Sequence, residues 1–496
     1  MNETKPPATR PTWVGLLGYT LLLAGAVGLF LVVRWVGEGL TAPPAPADFV
    51  PGGRAGPGRV DIVLHVLATL AAVIGLGAVL GRAVGFLGQP PVIGEILAGI
   101  LLGPSCLGAI SPEAMHALIP TPDADPGGQV LAALKAVAQL GVILYMFLVG
   151  LELNATRMGS HVGAAVAISH ASIVVPFVLG STLALGLYPV VSHAGVPFTS
   201  FALFLGVAMA VTAFPVLARI LSDRGLDRTD LGVMALACAA ADDVTAWCLL
   251  AVVVGIVQAK VAGALAVAGG AALFVAAMVL VVRPAVARLG RAYEGTAPLP
   301  RAMVSATFTA VLLSALATEA IGIHAIFGAF LLGAIIPHTS RIAAEFTAKL
   351  RDPVTVLLLP AFFAYTGMRT EIGLMSTARD WLLCGGIILV ATAGKFGGTL
   401  LAARLTGYGW RDAAALGTLM NTRGLMELIV LNIGLDLGVI SPTLFAMMVL
   451  MALATMVATA PVLAWLLPGR RGGIDPGRPP EPEPSALPPA GGERTA

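Results

Sequence analysis

Charged residues are scarce in this 496-residue chain: Asp, Glu, Lys and Arg together make up 11% of it, against roughly 25% in a soluble domain. That shortage excludes a water-solvated surface over most of the length. The four cysteines, Cys106, Cys238, Cys248 and Cys384, show neither CxxC spacing nor histidine neighbours at metal-ligand spacing, which argues against a zinc or redox centre. All fall in or beside apolar segments, so small buried hydrophobes are expected. No segment between the apolar runs is large enough for a soluble domain. The net charge of +2 implies no nucleic-acid partner; what counts is where Lys and Arg lie.

What is present is apolar: 57% of the residues are hydrophobic and 59 are glycine, a composition suited to closely packed membrane helices. Apolar runs set against Pro, Gly and charged breaks predict fourteen helices, at 13–35, 61–86, 91–108, 130–152, 160–186, 198–222, 230–258, 261–290, 302–320, 322–337, 352–371, 380–405, 411–437 and 441–467. The expected fold class is therefore an all-α polytopic membrane protein of thirteen to fourteen transmembrane helices. The apolar core of the first exceeds the usual ~7–15 residues of a signal peptide, and no clear cleavage site follows, so a retained helix is expected.

The basic residues support this count. With the N-terminus cytoplasmic, alternate loops receive 20 of the 29 Lys and Arg, including Arg219, Arg224 and Arg228, then Arg283, Arg288, Arg291 and Arg301, and Arg341, Lys349 and Arg351. The opposite side receives six, Arg34, Arg54, Arg59, Lys260, Arg369 and Arg379, and three lie within helices. That asymmetry matches the positive-inside rule for both termini in the cytoplasm. Three regions follow: an extra N-terminal helix with a Pro/Gly-rich external loop (1–60), a membrane domain (61–467), and a tail (468–496) whose composition cannot bury a core and is expected to be disordered.

Gly94-Glu-Ile-Leu97-Ala-Gly99 in the third helix echoes Gly328-Ala-Phe-Leu331-Leu-Gly333 in the tenth. Seven helices separate the two, and an odd number inverts the second copy in the membrane. Helices two to seven and nine to fourteen would then be inverted six-helix repeats joined by helix eight.

Such repeats often carry interrupted helices in corresponding positions, with the binding site at the breaks. The sixth helix contains Val211-Thr212-Ala-Phe-Pro215, where proline cannot donate its backbone bond and should free carbonyls near Val211. Its repeat partner, the thirteenth, contains Asn421-Thr422-Arg423-Gly424. Open carbonyls at such breaks can replace part of an alkali cation's hydration shell. Asp242 and Asp243 lie mid-way along the seventh helix, where each ionisable side chain costs at least about 2.5–3.5 kcal/mol. Asp243 is expected to supply the charge at the breaks. Lys395, deep in the twelfth helix, is expected to neutralise Asp242 and leave Asp243, about 100° round the helix, facing elsewhere. Arg423 and Glu427 read as a local i,i+4 pair neutralising the broken helix. Glu95, Glu152 and Glu319 lie near helix ends and read as solvated or packed. The seven histidines form no cluster, although His324 or His338 is placed to tune a pH response.

Gln89-Pro-Pro-Val-Ile-Gly-Glu-Ile-Leu-Ala-Gly-Ile-Leu-Leu-Gly-Pro104, Phe147-Leu-Val-Gly-Leu-Glu152, Ala241-Asp-Asp-Val244, Gly328-Ala-Phe-Leu-Leu-Gly333 and Asn421-Thr-Arg-Gly-Leu-Met-Glu-Leu-Ile-Val430 resemble the monovalent cation:proton antiporters. The branch is the one that includes bacterial sodium/proton and Kef-type potassium/proton exchangers and plant cation/proton exchangers. The resemblance spans about residues 61–467. It implies a scaffold, a homodimer, and a mobile core with two crossed broken helices. It further implies Asp243 as the obligatory cation and proton site, Asp242 as the partner of Lys395, and Thr212 as a nearby polar ligand. Two departures matter: the helix before residue 61 is additional to the thirteen-helix pattern of some members, and the nucleotide-binding domain of Kef-type exchangers has no counterpart here, so control by that route is not expected.

The function expected is exchange of Na+ or K+ for protons across a bacterial cell membrane, with no cofactor. Asp243 can hold a proton or a cation but not both, and that competition couples the fluxes. A second proton on Lys395 or Asp242 would make exchange electrogenic; family members with Asn in place of the first Asp are commonly electroneutral, so the resemblance implies the electrogenic version here. A K+-selective efflux antiporter and a passive cation channel are the nearest alternatives. An intramembrane aspartyl protease needs its two carboxylates on facing helices, whereas neighbours on one helix point apart. The sequence does not choose between Na+ and K+.

Overall fold

The computed structural model describes residues 12–40, 61–121, 123–125, 127–152, 162–226, 229–258, 261–292, 299–337 and 340–468. The 468–496 tail beyond its first residue, most of the 38–59 loop, and Arg54, Arg59, Arg228, Lys260 and His338 lie outside the described residues. Among those described, the elements are helical throughout, and ten helices are long and apolar enough to cross a membrane.

Each of the fourteen expected segments is present, several of them divided. The first six spans give α1 (Thr12–Gly37), α2 (Ile62–Phe86), α3 (Val92–Leu102), two short turns α4 (Leu107–Ile110) and α5 (Pro112–Leu118), α6 (Gln129–Glu152), α7 (Val162–Val191), and then a helix split into α8 (Phe198–Ala210) and α9 (Phe214–Asp223). Helix α10 (Asp230–Gln258) leads to α11 (Val261–Ala277), which runs through a π-helical stretch into α12 (Arg283–Ala292). The second half holds α13 (Arg301–Ile321), α14 (Ala325–Ile335), α15 (Arg341–Asp352), α16 (Leu359–Met368), α17 (Ala378–Leu405), a second split pair α18 (Trp410–Met420) and α19 (Leu425–Asp436), and α20 (Pro442–Leu466).

One boundary and one added helix correct the sequence reading. The tenth helix starts at Ala325 rather than 322, because Gly322 adopts φ +95° and terminates α13, while the Glu319 carboxylate accepts from the Ala325 amide (2.8 Å) and caps the new helix. Helix α15 was not expected, since its RIAAEFTAKLRD sequence is too charged to cross a bilayer. It buries Ile342, Phe346 and Leu350 on one face, and its Arg351 bonds Glu152 at the end of α6.

Packing divides the described helices into two bodies. Helices α2, α3, α6, α13, α14 and α16 pack on one another, and α7, α8, α10, α17, α18 and α20 form the second group. The added α1 docks on α7 and α8 of the second group, with Phe30 against Phe177 (ring centroids 6.2 Å apart).

The six-residue echo lies at equivalent contacts of the first body. Gly99 on α3 meets Gly367 on α16, where a Cβ on Gly367 would sit 2.5 Å from the Gly99 carbonyl carbon. Its counterpart Gly333 on α14 meets Gly150 on α6, and there a Cβ on either residue would sit 2.3 Å from a backbone oxygen. The first glycines match as well: Gly94 abuts Gly81 on α2, and Gly328 abuts Ser314 on α13. Two backbone crossings this close admit no side chain, which is why the echo consists of glycines. The packing thus relates α3 to α14, α16 to α6 and α2 to α13, as inverted repeats require.

The cysteine expectation holds in part. Cys238 and Cys384 are buried, Cys106 is intermediate, and Cys248 is exposed on the outside of α10, all four as free thiols.

Candidate functional site

Both expected breaks exist, and they touch. Helix α8 ends at Ala210 and α9 begins at Phe214, while α18 ends at Met420 and α19 begins at Leu425, with Asn421 and Gly424 at the two helix ends of the second break. The Ala213 amide donates to the Thr422 carbonyl across the crossing (3.1 Å). Pro215 falls in the first turn of α9, where a missing amide hydrogen costs nothing because those amides have no partner within the helix.

The carbonyls at the end of α8 are not left open. Arg423 donates to the carbonyls of Ala208 (3.2 Å) and Met209 (2.7 Å), and Lys395 donates to that of Ala210. Two buried cations therefore cap the negative end of this half-helix, a favourable arrangement for its dipole. The expectation of free carbonyls near Val211 is corrected for Ala208, Met209 and Ala210, whose oxygens these two side chains occupy. Arg423 also meets Glu427 at 3.3 Å, the expected i,i+4 pair, and both side chains are fully buried.

Asp242 is buried and densely bonded. One oxygen accepts from Ser169 (2.5 Å), and the other from Ser172 (2.5 Å), Thr212 (2.7 Å) and Lys395 (3.2 Å). Lys395 is wholly buried, so it does not snorkel to an interface. It also donates to the Ser172 carbonyl at 3.1 Å. Thr212, expected as a nearby polar ligand, donates its hydroxyl hydrogen to Asp242. Ser169 and Ser172 were missed in the sequence; their signal is an i,i+3 pair of hydroxyls on one face of a mostly apolar helix.

Asp243 stands in contrast. It is 1% exposed, and neither carboxylate oxygen has a hydrogen-bond partner among the described residues. Two further buried oxygens of this region, Asn421 Oδ1 and Glu427 Oε2, share that state. An unpaired carboxylate buried in an apolar helix is costly, and the cost is offset when the group holds a proton or a cation. The two neighbouring aspartates thus differ sharply: one is saturated with donors, the other has none. Their divergence also separates this pair from a protease dyad sharing one proton. Among the described residues no cluster of three His, Cys, Asp or Glu has the arrangement of a resident metal site.

With this geometry in place, comparison with known proteins identifies the family. Residues 69–468 match the family described as sodium/hydrogen exchanger, transmembrane. The chain belongs to that family of cation/proton exchange transporters and is an integral membrane protein. It is 42% identical over 410 residues to the Na(+)/H(+) antiporter NhaS4 of Synechocystis sp., covering 82% of this chain and 98% of the relative. It is 38% identical to Cation/H(+) antiporter 19 of Arabidopsis thaliana, over 77% of this chain and 47% of that protein, and 33% identical to K(+)/H(+) antiporter 1 of Saccharomyces cerevisiae, over 77% and 44%. The chain thus spans about half the length of these plant and yeast relatives. The sodium proton antiporter MjNhaP1 of Methanocaldococcus jannaschii shares the fold, with a TM-score of 0.58 at 14% identity over 81% of this chain and 96% of the other.

Proposed function

We propose that this protein exchanges a monovalent cation, Na+ or K+, for protons, with Asp243 as the carboxylate that holds each in turn. The observation carrying this reading is the buried Asp243 carboxylate with no protein partner among the described residues, beside the crossed helix breaks. Asp242 and Thr212 belong to the same site as its fixed, hydrogen-bonded part, Lys395 and Arg423 compensate charge, and Pro215, Asn421 and Gly424 shape the breaks.

Exchange proceeds by competition. A cation entering the site displaces the proton, the α7/α8/α10/α17/α18/α20 body moves against the other, and a proton from the far side displaces the cation. If Lys395 carries a second proton, one net charge crosses per cycle, worth about 2.3 kcal/mol per 100 mV of membrane potential. A homodimer, both termini in the cytoplasm and residence in a bacterial cell membrane complete the proposal. The asymmetry of 20 against six basic residues between alternate loops supports the orientation.

The test is cation-driven proton flux in proteoliposomes with Na+ and K+ in parallel. Asp243→Asn should abolish flux with both ions, and a wild-type rate in that variant would discard the assignment. Flux of wild type that is indifferent to an imposed voltage would reject the two-proton version alone.

A further inference from the structure

Buried hydroxyls within helices normally bond back to the carbonyl one turn earlier. Here Thr366, Thr399, Thr418, Thr455 and Thr459 all do so. Ser169 and Ser172 do the opposite: both reach across from α7 to the Asp242 carboxylate of α10, each at 2.5 Å. Both serines are wholly buried. With Thr212 at 2.7 Å, three hydroxyls lie closer to Asp242 than Lys395 does at 3.2 Å. Hydroxyl-to-carboxylate bonds of this length are charge-assisted and roughly twice as strong as neutral ones.

Lys395, for its part, has other holds. Its ammonium donates to the carbonyls of Ser172 and Ala210. Ser172 therefore touches both partners, giving its hydroxyl to Asp242 and its carbonyl to Lys395. Asp242 thus has three hydroxyl donors besides Lys395.

We infer that Ser169 and Ser172 are positioning residues of the exchange cycle: they fix the Asp242 carboxylate to α7, so that Lys395 can leave it while Asp243, the next residue, keeps its orientation. The inference rests on the reading of Asp243 as the exchange site. The Lys395–Asp242 contact is on this account a releasable one, and the serine clamp is the permanent one.

A mutant cycle tests this. Initial cation-driven proton flux, with apparent KM and maximal rate, is measured for wild type, Lys395→Ala, the Ser169→Ala/Ser172→Ala pair and the triple variant. Each is first confirmed as monodisperse in detergent. We expect the serine pair alone to raise KM more than it lowers the maximal rate. Lys395→Ala alone should retain measurable flux, and the triple variant should lose about tenfold more than the product of the separate losses, the size of coupling seen between contacting groups. Losses that simply multiply, or an unaltered KM in the serine pair, overturn the inference. Ser169→Thr keeps the hydroxyl and should behave nearly as wild type; if it resembles Ser169→Ala, the serine serves packing and the inference again fails. Asp243→Asn in the same assay separates the two readings. Normal flux there removes the exchange-site assignment itself, whereas an inactive Asp243→Asn with multiplicative serine and lysine losses removes only the clamp.

Discussion

Arg423, on the loop between α18 and α19, donates to the Met209 carbonyl at the end of α8, 2.7 Å away and 214 residues distant in sequence. One broken helix thereby supplies the cap of the other. Arg423→Ala leaves the carbonyls of Ala208 and Met209 without this donor and Glu427 buried without its cation, a loss of about 3–5 kcal/mol by analogy with other broken buried pairs. Arg423→Lys keeps the charge but not the planar fork, and should recover only part of the loss. Thermal unfolding in detergent measures both. An Arg423→Ala protein as stable as wild type would refute the capping role.

The proposed competition at Asp243 sets the sign of the expected pH dependence. A proton on the carboxylate excludes the cation, so the apparent KM for the cation should rise as pH falls, by about tenfold per unit where the proton dominates. Maximal rate at saturating cation should change far less. Flux measured at several cation concentrations across a pH series checks this, and a KM independent of pH would contradict competition.

The glycine crossings make a packing prediction. Gly333→Ala places a methyl 2.3 Å from the Phe147 oxygen, and Gly150→Ala does the same against Phe330. Overpacking of this kind costs about 1–3 kcal/mol. Gly186 on α7 has open space where its Cβ would be, and Gly186→Ala should instead leave stability unchanged or raise it by up to about 1 kcal/mol. Melting temperatures of the three variants side by side decide the matter.

Asp436, the last residue of α19, accepts from Lys135 of α6 (2.7 Å) and from Arg369 just past α16 (2.8 Å). Since α19 packs on α20 and α8 of the second body, these bridges join the two bodies, at the edge of a cavity of about 250 Å³ lined by Gln139, Glu319 and His324 among others. The side chains are 18–42% exposed, so each bridge is worth about 0.2–1 kcal/mol. Asp436→Asn should hardly shift the melting temperature. It should instead change the balance between the two orientations of the bodies about two- to fivefold, since that balance responds to energies of this size. Thiol labelling of a Gln139→Cys protein, with and without Asp436→Asn, reads the change; identical labelling rates would sink it.

Much of this was legible before any coordinates. Apolar runs of about 20 residues can be read directly because a bilayer demands them, and two glycines spaced around a leucine in helices three and ten marked the repeat. Asp242, Asp243 and Lys395 stood out because charge inside such a run is expensive. Helix α15 was not legible, since a short amphipathic segment carries no membrane signal, and the capped end of α8 was not, since its donors come from the far half of the chain.

The sequence by itself determined the class of molecule, the inverted repeat, the two breaks and the presence of buried charge at Asp242, Asp243 and Lys395, because hydrophobic length, proline and buried charge act locally. Only the tertiary structure decided how the aspartates divide their roles. Asp242 meets Ser169 and Ser172 of α7, Thr212 of the break between α8 and α9, and Lys395 of α17, while Asp243 one residue on meets no donor among the described residues. Whether a buried carboxylate is satisfied depends on which donors the packing of distant segments brings within hydrogen-bonding distance, and no local pattern encodes that.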